Sequence, residues 1–271
     1  MVKVFLTSIT LGLLSFTSLT PKHVTASSAA APSTIAMAAE DLSRSSAAIK
    51  KEAFESHIQA LYDDANLKSK GLSYDVFHKA VVGFQNFKRL KMISPSKSIL
   101  SVVDFNKPSS EKRLWIIDLK SKKVLFNTLV AHGRNTGEAK ATQFSNTPNS
   151  NMSSLGFYLT DATYYGKHGL SLRLQGMDEG FNTNAMSRAI VVHGADYATE
   201  SFVKKYGRLG RSLGCPSVPS EVSKEVILTI KDKSVLYIHG NDTNYASRFL
   251  DSYEAIETFA QEAGLNTAVN I

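Results

Sequence analysis

Apolar residues recur at helical spacing between residues 41 and 66, with Ile49, Phe54, Ile58 and Leu61 along one stripe. Ser73, a residue suited to cap a helix, is followed by Phe77, Val81 and Phe84 at i, i+4 and i+7. The two stretches predict a helical hairpin whose phenylalanines pack on whatever follows. From about residue 98 the pattern shortens to β-like runs: Ser98 to Phe105, Arg113 to Leu119, Val124 to Ala131, Gly156 to Thr160, Leu170 to Leu174, Ala189 to His193 and Ser234 to His239. These runs are rich in Val, Ile, Leu and Phe and are separated by turn-rich links. Trp115, inside the second of them, reads as core. One helix is expected at Pro219 to Lys231, opening with Pro219 and with Glu221 in its first turn. Strands and helices do not alternate regularly, which argues against a doubly wound parallel sheet. The expected fold is mainly β within the α+β class, a mostly antiparallel sandwich or barrel. Residues 41–96 form its helical N-terminal segment, and 97–271 a β domain with a C-terminal extension. No internal repeat is visible.

The N-terminus reads differently. Lys3 is followed by an uncharged apolar run from Val4 to Phe16. That run is shorter than the roughly 20 residues a bilayer span needs. It leads to small residues, with Val24-Thr25-Ala26 as a cleavage site before Ser27, the pattern of a secretory signal peptide. The alternative is a buried N-terminal helix. Residues 1–26 are therefore expected to direct export to the periplasm or cell envelope, and the Ala, Ser and Thr-rich stretch 27–40 to be a flexible leader. No later segment is long and apolar enough to cross a membrane. The formal charge is +7, and loss of Lys3 and Lys22 with the signal would leave +5. A basic exported protein suits a polyanionic surface such as a cell wall. The lysines are scattered with no basic-aromatic stripe, so nucleic acid is not an expected partner. The composition, 43% hydrophobic and 20% charged, is ordinary for a globular protein and does not separate an enzyme from a binding module.

The chain has one cysteine. In an oxidising compartment cysteines usually pair, and a lone one is inert, an intermolecular link or a reactive thiol. Its surroundings favour the last. His193 closes an apolar run and is followed at once by Gly194, and Cys215 lies 22 positions on (193 to 215) within Ser212-Leu213-Gly214-Cys215-Pro216. A thiol of pKa about 8.5 is only a few per cent ionised at neutral pH, and a neighbouring imidazole raises that fraction. Cys215 is thus the candidate nucleophile and His193 its base. The N–H groups of Cys215 and Gly214 are candidates to hold an oxyanion, each such donor contributing roughly 3 kcal/mol. Arg208 and Arg211 are candidates to clamp a substrate carboxylate. Gly194, Ser212 and the glycine-flanked His168 are candidates to line the substrate cleft. His132-Gly133 is glycine-flanked in the same way.

The sequence His-Gly, a loop, then Ser-x-Gly-Cys resembles the signature of L,D-transpeptidases of the YkuD type, which remodel peptidoglycan. Ser153-Ser154-Leu155-Gly156-Phe157-Tyr158 resembles a strand entry of that family. Ser171-Leu172-Arg173-Leu174-Gln175-Gly176, Asn184-Ala185 and the His193 strand resemble its murein branch with a Gly-Cys-Pro ending. The resemblance spans about residues 98 to 240. The commoner family pattern has histidine before the Gly-Cys and arginine soon after it, whereas this chain has Leu213 and Pro216-Ser217. Arg211 or Arg208 would then have to take that arginine's place, or that contact is absent. The resemblance implies a YkuD-type fold and attack by Cys215 on the amide between the third residue of a stem peptide and its terminal D-alanine. His193 would take the thiol proton and return it to the leaving amine. Capture of the thioester by an amine of a second stem gives a cross-link, and capture by water gives carboxypeptidase activity. The family implies inhibition by carbapenems, and no cofactor or metal is called for. A backbone carbonyl is the expected third member, orienting His193. The non-enzymatic alternative is a cell-wall binding module that has lost turnover.

Three rival patterns are weaker. Gly210-Arg211-Ser212-Leu213-Gly214 matches a nucleophile elbow but lacks the flanking strand and helix that motif needs. Ser-x-x-Lys occurs at Ser94, Ser109 and Ser201 without its companion motifs. His132, His168, His193 and His239 have no tight zinc-ligand spacing.

Overall fold

The computed structural model describes residues 32–265, with side chains from residue 44 onward. The expected signal peptide, its expected cleavage site and the start of the expected leader lie outside the described residues. Residues 32–40, expected in the leader, instead form the first turns of helix α1 (Pro32–Asp64). Pro32 is suited to a first helical position, and Ala36, Ala38 and Ala39 are strong helix formers.

Helix α2 (Tyr74–Arg89) starts where Ser73 Oγ accepts from Val76 N, and Lys88 and Arg89 occupy its last turn. A cap of this kind contributes about 1 kcal/mol. Eight strands follow: β1 (Ile99–Asp104), β2 (Leu114–Asp118), β3 (Lys123–Thr128), β4 (Gly156–Gly166), β5 (Gly169–Gly176), β6 (Val191–Ala195), β7 (Ser217–Pro219) and β8 (Val235–His239). Their order in the sheet is β3-β2-β1-β8-β4-β5-β6-β7. Most neighbours are antiparallel, while β1–β8 and β6–β7 run parallel. Single bridges from Ala131 to Ser217 and from Gly133 to Ser212 join the two ends, so the sheet nearly closes into a barrel.

The central strands are covered on both faces, which is why they read as continuous apolar runs rather than strict alternation. Period two is still visible in where the side chains go. Leu100, Val102, Trp115, Ile117, Phe157, Leu159, Val235 and Tyr237 face the helices. Val103, Leu114, Ile116, Tyr158, Leu236 and Ile238 face inward, with Val226, Ile227 and Ile230 of helix α4 (Ser220–Ile230). The hairpin phenylalanines Phe54, Phe77 and Phe84 belong to the same core as the outer sheet face. The helical segment is therefore a layer of the β domain, and the described residues from 45 onward form one compact unit. Gly83 lets α2 approach β4, since a Cβ there would fall 2.1 Å from Phe157 Cε1.

Two helices were not expected. α5 (Ser252–Glu262) packs against α2 and sets Phe259 against Phe54, and the short α3 (Glu200–Tyr206) follows β6. The C-terminal extension is tied down by Asp178, whose carboxylate accepts from Tyr245 Oη (2.7 Å), Ser247 Oγ (2.6 Å) and Phe157 N (2.7 Å).

Candidate active site

The end of the sheet made by β5, β6 and β7 holds the two candidate catalytic residues. His193 sits in β6, opposite Ser171 of β5 and opposite Ser217 of β7. Side chains alternate along β6, so Val192 enters the barrel core while His193 faces the other way. Cys215 lies two residues before Ser217, in the loop that leads into β7. Cys215 and His193 line one cleft of about 390 Å³ with Tyr164, Lys167, His168, Arg188, Tyr197 and Arg211 among its other walls.

His193 is oriented at both nitrogens. Nδ1 is 2.8 Å from Gly194 O and Nε2 is 2.9 Å from Ser217 Oγ. A carbonyl can only accept, so Nδ1 carries the hydrogen, and the partner expected to orient the ring is this backbone carbonyl. His168 stacks on His193 with ring centroids 4.2 Å apart. Burial, with a smaller push from His168 and Lys167, holds His193 below the usual histidine range. Burial likewise raises the Cys215 thiol, against the opposing pull of Val191 N–H, Arg188 and Lys167. Cys215 Sγ points at Ala189 O, 3.7 Å away.

The loop around Cys215 is built from inside. Ser212 Oγ donates to Cys215 O (2.7 Å) and accepts from Gly214 N (3.0 Å), and Ser153 Oγ donates to Gly214 O (3.2 Å). Gly214 adopts φ +125°, and a Cβ there would meet Met152 O at 2.8 Å. Ser212 borders the cleft, but its hydroxyl is engaged within the loop rather than free for substrate. The Gly214 N–H is also engaged, which removes it from the expected oxyanion pair and leaves the Cys215 N–H.

Two other expectations change. Gly194 does not open onto substrate: a Cβ there would sit 2.6 Å from Ser223 Oγ, so the glycine is required by the approach of α4. Arg208 does not line the cleft, because its Nε pairs with Glu138 Oε2 at 3.2 Å. Arg211 does line it, while also pairing with Glu138 Oε1 at 2.5 Å. The four histidines weighed for zinc part company. His132 is buried beside Arg113 and His239 lies near Tyr237, leaving His168 and His193 together. Among the described residues no group of three or more His, Cys, Asp or Glu converges to hold a metal. No described helix is long and apolar enough to cross a membrane.

Arg188, Tyr197 and Ser217 were missed. Arg188 donates to Ser145 O, Ser154 Oγ, Ser150 Oγ and Met152 O, pinning the 145–154 segment beneath the cysteine loop. Tyr197 Oη is 3.1 Å from Ser217 Oγ. The signal for Ser217 was its place two residues after the cysteine, but it needs the β6–β7 pairing to become meaningful.

A lone thiol and a carbonyl-oriented imidazole on one cleft, carried at the edge of a nearly closed mixed barrel, define a thiol–imidazole site. The family of L,D-transpeptidase catalytic domains matches residues 68–239. The chain belongs to that family, and the match takes in α2 as well as the strands through β8. No curated protein matches the chain significantly. Among solved structures, it is similar to an L,D-transpeptidase from Mycobacterium smegmatis at 11% identity and TM-score 0.34, covering 53% of this chain and 59% of that one. It is similar to a helical cell shape determining protein from Campylobacter jejuni at 12% identity and TM-score 0.38, covering 68% and 64%. It is also similar to an L,D-transpeptidase from Stackebrandtia nassauensis at 17% identity and TM-score 0.31, covering 64% and 68%. The chain thus spans less than two thirds of the length of the first two.

Proposed function

We propose that this protein is an exported cysteine acyltransferase that performs L,D-transpeptidation on peptidoglycan stem peptides. The observation that carries the reading is that Cys215 and His193 share one cleft within a domain of the L,D-transpeptidase family. The Cys215 thiol proton passes to His193 Nε2, and the thiolate attacks the carbonyl of the stem's third residue. The Cys215 N–H supports the oxyanion. Collapse breaks the C–N bond, and Nε2–H protonates the amine of the departing D-alanine, leaving a thioester. An amine from a second stem then attacks the thioester, loses its proton to Nε2 and restores the thiol. Water in the amine's place gives L,D-carboxypeptidase activity. No nucleotide is consumed, because the broken amide supplies the driving force. That suits a compartment outside the cytoplasm, which Lys3, the Val4 to Phe16 run and the small residues before Ser27 support. Arg211, on the cleft wall, is the candidate to hold a stem carboxylate.

Incubation with tetrapeptide-bearing muropeptides and mass spectrometry of the products tests this. Loss of D-alanine with appearance of cross-linked dimers is expected. Cys215→Ala abolishes both, and His193→Ala slows them by about 10²–10⁴-fold, the usual contribution of a positioned base. A carbapenem adduct is expected on Cys215. Turnover surviving Cys215→Ala, or an adduct on Ser212, sinks the reading.

A further inference from the structure

The proton-accepting nitrogen of His193 is hydrogen-bonded to a serine, not to the thiol it is meant to serve. With Nδ1–H given to Gly194 O, the lone pair of Nε2 lies along the 2.9 Å contact to Ser217 Oγ. Cys215 Sγ meanwhile has Ala189 O as its partner. A serine hydroxyl has one hydrogen and two lone pairs. At Ser217 the hydrogen goes to Nε2 and one lone pair accepts from Tyr197 Oη at 3.1 Å, leaving one lone pair. Ser217 is fully buried, so bulk water does not compete for that position. Cys215 precedes Ser217 by two residues, a separation of about 6.6 Å along an extended chain that two side chains can span by rotation. Tyr197 shares the cleft with Cys215, and the charge on Cys215 adds to burial in raising the Tyr197 hydroxyl.

We propose that Ser217 is a catalytic residue that relays the proton between Cys215 and His193, with Tyr197 as its positioning residue. In the forward step the Sγ–H bond breaks as a new Oγ–H bond forms on Ser217. The original Ser217 hydrogen passes to Nε2, giving thiolate and imidazolium with the serine neutral throughout. Protonation of the leaving amine draws on the same imidazolium. A carboxylate in this place would only accept and would lock the ring as imidazolium, whereas an alanine would interrupt the path. The relay rests on the assignment of His193 as the base under Proposed function, and the experiment separates the two.

Single-turnover acylation of the full chain by meropenem, followed by loss of β-lactam absorbance, is measured for the wild type, His193→Ala, Ser217→Ala, Ser217→Thr and Tyr197→Phe. Ser217→Ala is expected to slow acylation by about 10²-fold, in the range for loss of a proton-transfer group. Ser217→Thr, which keeps the hydroxyl, is expected to stay within about fivefold of wild type, and Tyr197→Phe to slow it a few-fold. In mixtures of light and heavy water the wild-type rate should bow downward, as two protons in flight require, and that of Ser217→Ala should be linear. A purely structural role for Ser217 would not produce that change of curvature. If His193→Ala is inactive while Ser217→Ala acylates at the wild-type rate, or the wild-type inventory is linear, the relay is wrong and the base assignment stands. If His193→Ala acylates normally, or the wild type forms no adduct, both fall.

Discussion

Acid should loosen this protein through one buried pair, Arg113 and His132. Arg113 has no exposed surface and donates from Nε and Nη2 to Val130 O (3.0 and 2.9 Å) and from Nη1 to Lys107 O (2.8 Å). Its Nη2 also meets His132 Nδ1 at 2.8 Å, so that nitrogen must be an acceptor, and Nε2 donates to Gly137 O at 3.2 Å. The ring is therefore neutral. Burial first, then the Arg113 charge, pushes His132 down to about 4 from an ordinary value of 6.5. The unfolded chain takes up this proton near pH 6.5 and the folded chain only near 4, so between those values the unfolded state binds more protons. Stability from this group is complete above pH 6.5 and is lost as pH falls towards 4, in total about 3 kcal/mol and about 2.5 kcal/mol by pH 4.5. That is a large share of a typical total of roughly 5–15 kcal/mol. Urea unfolding of wild type and His132→Asn from pH 7.5 to 4.5 isolates it, because the carboxylates that titrate in this range are common to both. The variant's side-chain amide offers an oxygen to Arg113 in place of Nδ1 but takes up no proton, so the wild type should lose about 2.5 kcal/mol more than the variant. Parallel pH dependence in the two proteins would refute the reasoning. The loss has a functional address, since His132 O receives Ser212 N (2.9 Å) at the base of the cysteine loop.

Gly194→Ala drives a methyl into Ser223 and should cost about 1–3 kcal/mol in urea unfolding. Because Gly194 O orients His193, turnover should fall further than stability, and pairing it with Ser223→Gly should recover most of the stability. Glu138→Ala releases Arg211 from an exposed ion pair, and KM for a carboxylate-bearing stem peptide should drop by up to about fivefold with kcat unchanged. A rise in KM would mean that Glu138 helps rather than competes. Absorbance at 240 nm, taken as the difference from Cys215→Ala, should show the thiolate appearing above the ordinary thiol range of about 8.5. A thiolate plateau between pH 5 and 7 would contradict the raised thiol and lowered imidazole of the cleft.

The fold was legible where one-dimensional pattern and three-dimensional packing coincide. The Phe77, Val81 and Phe84 stripe is buried in α2, and the apolar runs of β1, β2, β4 and β8 are strands because both of their faces are covered. α5 escaped because only Ala255 and Ala260 are fully buried on it, too small to announce a stripe. β7 is three residues long and exists because β6 pairs with it. The site divides in the same way. A lone cysteine after His-Gly is a local signal, and both residues reach one cleft. The roles of their neighbours were fixed from a distance. Glu138 decides where Arg208 points, Ser223 decides why position 194 is glycine, and the Ser212 hydroxyl decides that the Gly214 N–H is occupied. None of these partners is marked by spacing, so glycine and arginine near a nucleophile read as substrate contacts when they are parts of the scaffold.

Burial raises the thiol and lowers the imidazole, and both shifts disfavour the thiolate–imidazolium pair on which the proposed acyl transfer depends. This is consistent with a catalytic cleft once the compartment is considered. Oxidation of cysteine follows thiolate character and exposure, and in the exported setting proposed here a permanently ionised lone thiol has no partner cysteine to rescue it. In the mechanism we propose, a neutral pair would stay inert until a substrate fills the cleft, engages Arg211 and brings a carbonyl to Cys215, where charge developing on the tetrahedral intermediate would be shared with the Cys215 N–H. The imidazolium is then stabilised by a nearby negative charge that the resting cleft lacks. Arg188 and Lys167 already bias the sulfur towards ionisation without achieving it. The same burial that disfavours the resting thiolate would strengthen each of those electrostatic contacts when the charge appears, so on the proposed mechanism the cleft would trade resting reactivity for reactivity conditional on substrate.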